Sequence, residues 1–232
     1  IMPHALESLT LGYEFDQSLE HINWPTSLQN LAFGFDFNHS LSKVNLPPNL
    51  RSLTFGYAFN QSLDDVKLPD GLRALAFGDE FCQKLEKVKW PSSLQRLSFG
   101  RTFNHSLDAV KLPDGLQSLS FGLHFNQTLN HVELPTCLQS LSFGREFDHS
   151  LKDVKLPPDL QSLTLGGEFN QSFDEIKVES LQSLTLGGWL YNETLEHVKL
   201  PDSLKSLTLG YEFNQRMDQV KLPKNLESLT FG

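Results

Sequence analysis

A proline that returns every 22 residues constrains this chain more than any other feature. It stands at Pro3, Pro25, Pro47, Pro69, Pro91, Pro113, Pro135, Pro157, Pro201 and Pro223. The unit that lacks it contains "KVESLQSL", one residue short, and "GGWLYNETL", one residue long, so the register recovers. A fixed period of this length is the signature of a repeat array. We therefore interpret residues 1–232 as one array, with ten full repeats over 3–222 and a partial eleventh over 223–232. The array begins and stops within the pattern, which predicts that it is part of a longer chain.

The repeat unit predicts an all-β solenoid with little or no helix. It has the form P-x-x-L-x-S-L-(S/T)-F-G-x-x-F-N-x-S-L-x-x-V-x-L. The segments "LxF" and "VxL" alternate apolar and polar residues, which is typical of strands, and Gly and Pro separate them. We expect each 22-residue coil to hold two short strands. A single coil cannot bury enough surface to fold alone, so the coils must stack.

An asparagine recurs after the second phenylalanine of the unit, and six of its copies begin Asn-x-Ser/Thr sequences. Because Asp replaces it in two coils, we interpret the column as a hydrogen-bonding ladder at a tight corner, facing inward. The following Ser supplies a second bond at this corner. Glycosylation, which would indicate a secreted protein, is the alternative. The predicted ladder is Asn38, Asn60, Asn104, Asn126, Asn170, Asn192 and Asn214.

The segment "FGYAFNQSLDDVKLPDGLRALAFG", residues 55–78, resembles the FNIP repeat, a relative of the leucine-rich repeats. The resemblance recurs across the whole chain, although Leu-Pro stands here where that family typically has Ile-Pro. The "LPxxLxSLxL" half is also similar to the short leucine-rich repeats of secreted bacterial effectors. Either resemblance implies a solenoid used for binding, with no enzyme in the repeats themselves.

Charge and motifs narrow the function classes. The formal charge of −9 argues against a nucleic-acid partner, which requires a basic stripe. No apolar run approaches the roughly 18 residues of a membrane span. The sequence contains no motif typical of a catalytic nucleophile, a phosphate-binding loop or a set of metal ligands. The histidines fall in columns with members two or more coils apart, so we expect no metal, no cofactor and no catalytic residues. The sequence does not decide between a cytoplasmic protein, which we slightly favour, and a secreted one.

The position after the turn glycine varies most between coils, and variation on a repeat scaffold points to partner recognition. Aromatic residues and Arg are the usual anchors of interfaces. The sequence thus predicts a partner-binding stripe of Tyr13, Phe35, Tyr57, Arg101, Leu123, Arg145, Trp189 and Tyr211. Its irregular segment "GGWLY", residues 187–191, is the strongest local feature.

Two other functions are compatible with the pattern. The coils could stack between copies, giving a fibre or an extracellular layer by self-association. The small hydroxyls of segments such as Ser162-Leu163-Thr164 could instead order water and bind ice, although Ala32, Ala76 and Arg96 interrupt these columns.

Overall fold

The computed structural model describes residues 2–174 and 176–232 and shows a solenoid with one strand in each coil. All strands are parallel and form one sheet in sequence order, β1 to β11. The strands are β1 (Ser8–Thr10), β2 (Asn30–Ala32), β3 (Ser52–Thr54), β4 (Ala74–Ala76), β5 (Arg96–Ser98), β6 (Ser118–Ser120), β7 (Ser140–Ser142), β8 (Ser162–Thr164), β9 (Ser183–Leu186), β10 (Ser206–Leu209) and β11 (Ser228–Phe231). The described residues contain no helix. The sheet and the helix-free solenoid confirm the predicted fold class.

The prediction of a second strand at "VxL" is wrong. In the fifth coil the N–H of Val110 donates to the carbonyl of Leu107 at 2.9 Å, within its own coil. The same turn recurs at Val132 with Leu129. An amide that closes a local turn cannot also form a ladder with the next coil. The alternating pattern is real, but it places apolar side chains around a turn rather than along a strand.

Two columns of phenylalanine run through a core that otherwise consists mainly of leucine. One column runs through Phe103 and Phe125, whose ring centroids lie 6.2 Å apart with planes 2° from parallel. The second runs through Phe99 and Phe121, 5.6 Å apart, and within one coil Phe99 lies 4.1 Å from Phe103. Each coil thus covers the ring faces of the next, and the rings of the first column are fully buried from Phe37 to Phe169.

The asparagine ladder is present but it does not face inward. The N–H of Asn126 donates to Oδ1 of Asn104 at 2.9 Å, and Gln127 Nε2 donates to the same oxygen at 3.0 Å. The side chain of Asn104 is nevertheless exposed, because the preceding Phe103 fills the core. The predicted second bond is also present, since Ser106 Oγ accepts the N–H of Asp108 at 3.1 Å.

The chain accommodates the extra residue of the irregular coil by a turn at Gly187. Its φ of +58° lies in the left-handed region that favours glycine. Beyond it, Trp189 and Leu190 are exposed, whereas Tyr191 enters the buried phenylalanine column between Phe169 and Phe213. One extra residue is accommodated because it bulges outward while the core column continues.

Candidate partner-binding surface

The predicted stripe follows the turn that ends each strand, along one rim of the sheet. The coils are joined there by main-chain bonds: the N–H of Asp36 donates to the carbonyl of Tyr13 (3.0 Å), and the N–H of Ala58 to that of Phe35 (2.9 Å). Residues of the stripe in successive regular coils are thus direct neighbours. Rim positions are held by the stacked backbone, so their side chains are free to vary.

At its N-terminal end the stripe is a stack of three aromatic rings. Tyr13 and Phe35 have centroids 4.6 Å apart, and Phe35 and Tyr57 have centroids 4.4 Å apart with planes only 1° from parallel. Tyr13 is 64% exposed and Tyr57 is 38% exposed, with Phe35 half-buried between them. We call Tyr13, Phe35 and Tyr57 the N-terminal aromatic cluster.

The middle of the stripe is polar and partly paired. Arg145 Nε donates to Glu168 Oε1 at 3.1 Å, in the adjacent coil. Arg101 is exposed and Leu123 is half-buried, and beside them His124 Nδ1 lies 2.6 Å from Glu146 Oε1. Asp79 and Gly167 hold the rim position in two intervening coils, so the eight predicted residues do not form one unbroken column.

At the C-terminal end, Trp189 and Tyr211 form a second aromatic group. Their centroids lie 5.4 Å apart with planes inclined by 35°, and they are 58% and 69% exposed. Leu190 is exposed beside Trp189; it lies in the segment "GGWLY" but is not among the eight residues of the predicted stripe. The insertion at "GGWLY" displaces it outward, which only the register of the coil could reveal. We call Trp189, Leu190 and Tyr211 the C-terminal aromatic cluster.

Tyr191 is the titratable group whose environment departs most clearly from water. Burial of its ring in the phenylalanine column raises the pKa of its hydroxyl well above the usual 10.0, and the charges of Glu193 and Asp174 add to the effect. Its Oη has no hydrogen-bond partner within the described part of the chain. A buried, neutral phenol in an apolar column is a structural group, since nothing can approach it.

Other chemistry-bearing residues are dispersed. Within residues 2–174 and 176–232, no cluster of three or more His, Cys, Asp or Glu is placed to hold a metal ion. Both cysteines, Cys82 and Cys137, are free thiols, and Cys82 Sγ lies 3.6 Å from His105 Nε2. The described residues include no helix able to span a bilayer.

Comparison with known proteins identifies the repeat. The family described as FNIP Repeat matches residues 1–36, 37–80, 59–102, 81–124, 103–146, 125–168 and 191–232. The chain belongs to the FNIP repeat family. The matches leave out residues 169–190, where the FNIP array loses its proline and begins its insertion. No curated protein matches the sequence.

One solved structure that is similar to this FNIP array is described as a leucine-rich-repeat protein. CroV588, described as a novel circular LRR protein structure, is 33% identical with a TM-score of 0.71. The alignment covers 99% of this chain but only 40% of CroV588. YopM from Yersinia enterocolitica WA-314 is 18% identical over 91% of this chain and 56% of its own, with a TM-score of 0.38. The pneumococcal vaccine antigen PcpA is 14% identical over 97% and 62%, with a TM-score of 0.24.

Proposed function

We propose that this solenoid is a non-enzymatic module that binds a protein partner along the rim of its sheet. The observation that carries the proposal is the pair of exposed aromatic clusters on that rim. Tyr and Trp are over-represented among the residues that dominate binding energy in interfaces. Repeat solenoids present extended surfaces suited to such partners.

The N-terminal aromatic cluster suits binding because its rings are already ordered. Phe35 is held between Tyr13 and Tyr57 by stacking on both faces. Ordering mobile side chains on binding costs about 0.5–1.5 kcal/mol each, and a preformed stack avoids much of this cost. The exposed ring edges and hydroxyls then offer both apolar contact and hydrogen bonding.

A quantitative affinity capture from the cells that make this protein tests the proposal. The baits are the wild type, Tyr13→Ala/Tyr57→Ala, Trp189→Ala and the control Lys111→Ala, whose exposed side chain lies on the V-x-L side of the coil. We expect a protein that is retained by the wild type and the control but is lost from at least one rim variant. If every retained protein binds all four baits equally, the rim is not the binding surface.

A second candidate is coil-to-coil stacking between copies of the chain. It is favoured by the similarity to CroV588, a circular LRR protein of which this chain spans 40%. Parallel sheets such as this one are extended by adding further strands at their edges. Sedimentation velocity over a hundredfold concentration range tests it. A sedimentation coefficient that rises with concentration supports stacking, and a constant monomer value contradicts it.

A further inference from the structure

Three arginines lie together on the strand face of the sheet, away from the rim. Arg51 and Arg73 directly precede β3 and β4, and Arg96 opens β5. Main-chain bonds place them in successive coils, because the N–H of Arg73 donates to the carbonyl of Arg51 (2.8 Å) and the N–H of Arg96 to that of Arg73 (3.0 Å). Adjacent strands are about 4.8 Å apart. We call Arg51, Arg73 and Arg96 the arginine cluster.

The fold does not require arginine at these positions. In six of the other coils the position of Arg51 and Arg73 is held by a glutamine: Gln29, Gln95, Gln117, Gln139, Gln161 and Gln182; Glu7, Lys205 and Glu227 hold it in the remaining three. These glutamines form the same main-chain bonds, as shown by the N–H of Gln117, which donates to the carbonyl of Gln95 at 2.8 Å. In the register of Arg96, β6 to β11 all begin with Ser. Like charges on neighbouring strands are destabilising. The cluster therefore lowers the stability of the fold, which does not need arginine at these positions.

Within residues 2–174 and 176–232, no carboxylate forms an ion pair with the cluster. All three side chains are exposed, and within the described residues none of them forms an ion pair or a side-chain hydrogen bond. Across coils two to nine, Asp and Glu are absent from the residue before each strand and from its first and third residues. The acids nearest to Arg73 in sequence, Asp70 and Asp79, lie in the turns on either side of β4. A chain with a net charge of −9 thus keeps a local patch of uncompensated positive charge.

The cluster borders an open depression with no acid in its lining. This depression has a volume of about 580 Å³, and Arg51 and Arg73 supply its only charged groups. Ser27, Asn49, Gly71 and Ser93 contribute to its neutral remainder. The equivalent depression near the C-terminus, of about 530 Å³, is lined by Lys205 and Lys224 but also by the acids Asp202 and Glu227. The same turn of the solenoid is therefore charge-balanced at one end and cationic at the other.

We propose that the arginine cluster binds the carboxylates of an extended acidic segment in a partner protein. Side chains on one face of an extended peptide are about 6.7 Å apart, so two alternate carboxylates fit the roughly 9.6 Å that three coils span. The guanidinium group pairs with carboxylates in a two-pronged geometry that lysine cannot reproduce. The surface of the sheet between the arginines carries small residues, such as Ser52 and Ala74. A peptide backbone can therefore approach the strands closely.

This site is independent of the aromatic rim, because it uses other side chains on a neighbouring face. Either can fail alone: rim variants test the proposed function, and arginine variants test the acidic segment. A partner that uses both would cross from the strand face to the rim near Tyr57.

A fluorescent peptide in which Glu alternates with Ser is the probe, with fluorescence anisotropy as the readout at two salt concentrations. We expect Arg51→Gln/Arg73→Gln to weaken binding by roughly tenfold or more, since hydrogen bonds between two charged groups are stronger than those that a neutral amide forms. The matched control is Lys205→Gln, in the charge-balanced depression, and it should bind like the wild type. Equal losses in both variants, or no binding by the wild type, would overturn the proposal.

Thermal unfolding separates loss of a ligand from loss of the fold. Because Gln occupies the same position in six coils, we expect Arg51→Gln/Arg73→Gln to unfold at the same or a higher temperature. Arg96→Ser, which restores the commonest residue of its register, gives a second fold-neutral variant and should also weaken binding. A phosphoserine peptide and a single-stranded oligonucleotide complete the test, and tighter binding of either one would reject a carboxylate segment as the occupant.

Discussion

Tyr191 is the residue at which the repeat pattern and its local chemistry conflict. It takes a place that Phe holds in neighbouring coils, and its ring stacks 6.1 Å from Phe169 and 6.2 Å from Phe213. Among the described residues its buried hydroxyl has no hydrogen-bond partner, and neither has the buried Oδ1 of Asp174, whose charge helps to raise the pKa of Tyr191. The stacked ring stabilises the aromatic column, whereas the buried hydroxyl without a hydrogen-bond partner destabilises it.

We therefore expect Tyr191→Phe to stabilise the protein by about 1–3 kcal/mol, the usual cost of leaving a buried polar group unsatisfied. Chemical denaturation of both proteins measures the difference in free energy of unfolding. Tyr57→Phe, which removes an exposed hydroxyl, is the matched control and should change little. A less stable Tyr191→Phe would show that the hydroxyl forms a bond in solution.

The same residue makes the wild type sensitive to alkali. Burial keeps Tyr191 protonated in the folded state, whereas the unfolded chain releases that proton near the usual pKa of 10.0. The unfolded state then binds fewer protons than the native state, so stability falls as the pH rises above about 10. We expect this fall to be smaller in Tyr191→Phe. Urea denaturation at pH 8 and pH 11 measures it, and equal falls in both proteins would contradict the assignment.

At the scale of the repeated elements, the turn glycines set how closely two coils approach. A Cβ built on Gly122 would overlap the carbonyl of Gly100, and Gly144 stands in the same relation to Gly122. The obstacle is backbone, which cannot rotate away as a side chain can. The column is glycine because the carbonyl of the previous coil occupies the space that a methyl group would need.

Gly122→Ala should consequently destabilise the array by about 2–3 kcal/mol, the cost of forcing extra volume into a packed interior. Gly71→Ala is the control, since its Cβ would lie 3.9 Å from the nearest atom, the carbonyl oxygen of Leu50. That substitution should leave stability unchanged or raise it by up to about 1 kcal/mol. Denaturant midpoints provide the comparison, and equal effects of the two substitutions would refute the close-packing argument.

The elements also show which features a sequence of this kind reveals. The period, the parallel register and the buried Phe columns follow from spacing, because identical units must stack identically. The exposed side of the asparagine ladder did not follow, since its bonds run between coils and depend on how the chain turns after Phe103. The second strand failed for a related reason: "VxL" has strand periodicity, but Val110 uses its amide locally.

The candidate surfaces were only partly visible in the sequence. Variation between coils located the rim, including Tyr57 and Trp189, but it did not show that the stripe is divided into two aromatic clusters. In the sequence the arginine cluster is visible only as Arg51 and Arg73 in a column that is mostly Gln, and Arg96 in a column that is mostly Ser. The structure adds that none of the three arginines forms an ion pair with a described residue, and that main-chain bonds join Arg51, Arg73 and Arg96 in successive coils.

For the whole molecule, the solenoid predicts graded rather than uniform stability. Each interior coil is packed on both faces, whereas β1 and β11 each pair with one neighbour. Leu119 in β6 is completely buried, while Leu9 in β1 and Leu229 in β11 are only partly buried. In such a linear array, stability is approximately a sum of coil and nearest-neighbour terms, so it should decrease toward both ends.

Hydrogen exchange followed by mass spectrometry measures this gradient peptide by peptide. We expect amides of β5, β6 and β7 to exchange most slowly, and those of β1 and β11 to exchange fastest because their coils can open without disturbing the middle. The irregular coil at Gly187 should interrupt the gradient, since its neighbour contacts differ from the repeat. Uniform exchange across the array would contradict this prediction. It would mean that all coils unfold in one step, because the coupling between neighbouring coils prevents an end coil from opening alone. Because an end coil opens more readily when nothing covers it, slowing of exchange in β1 and β11 at high protein concentration would identify them as the surfaces through which copies stack.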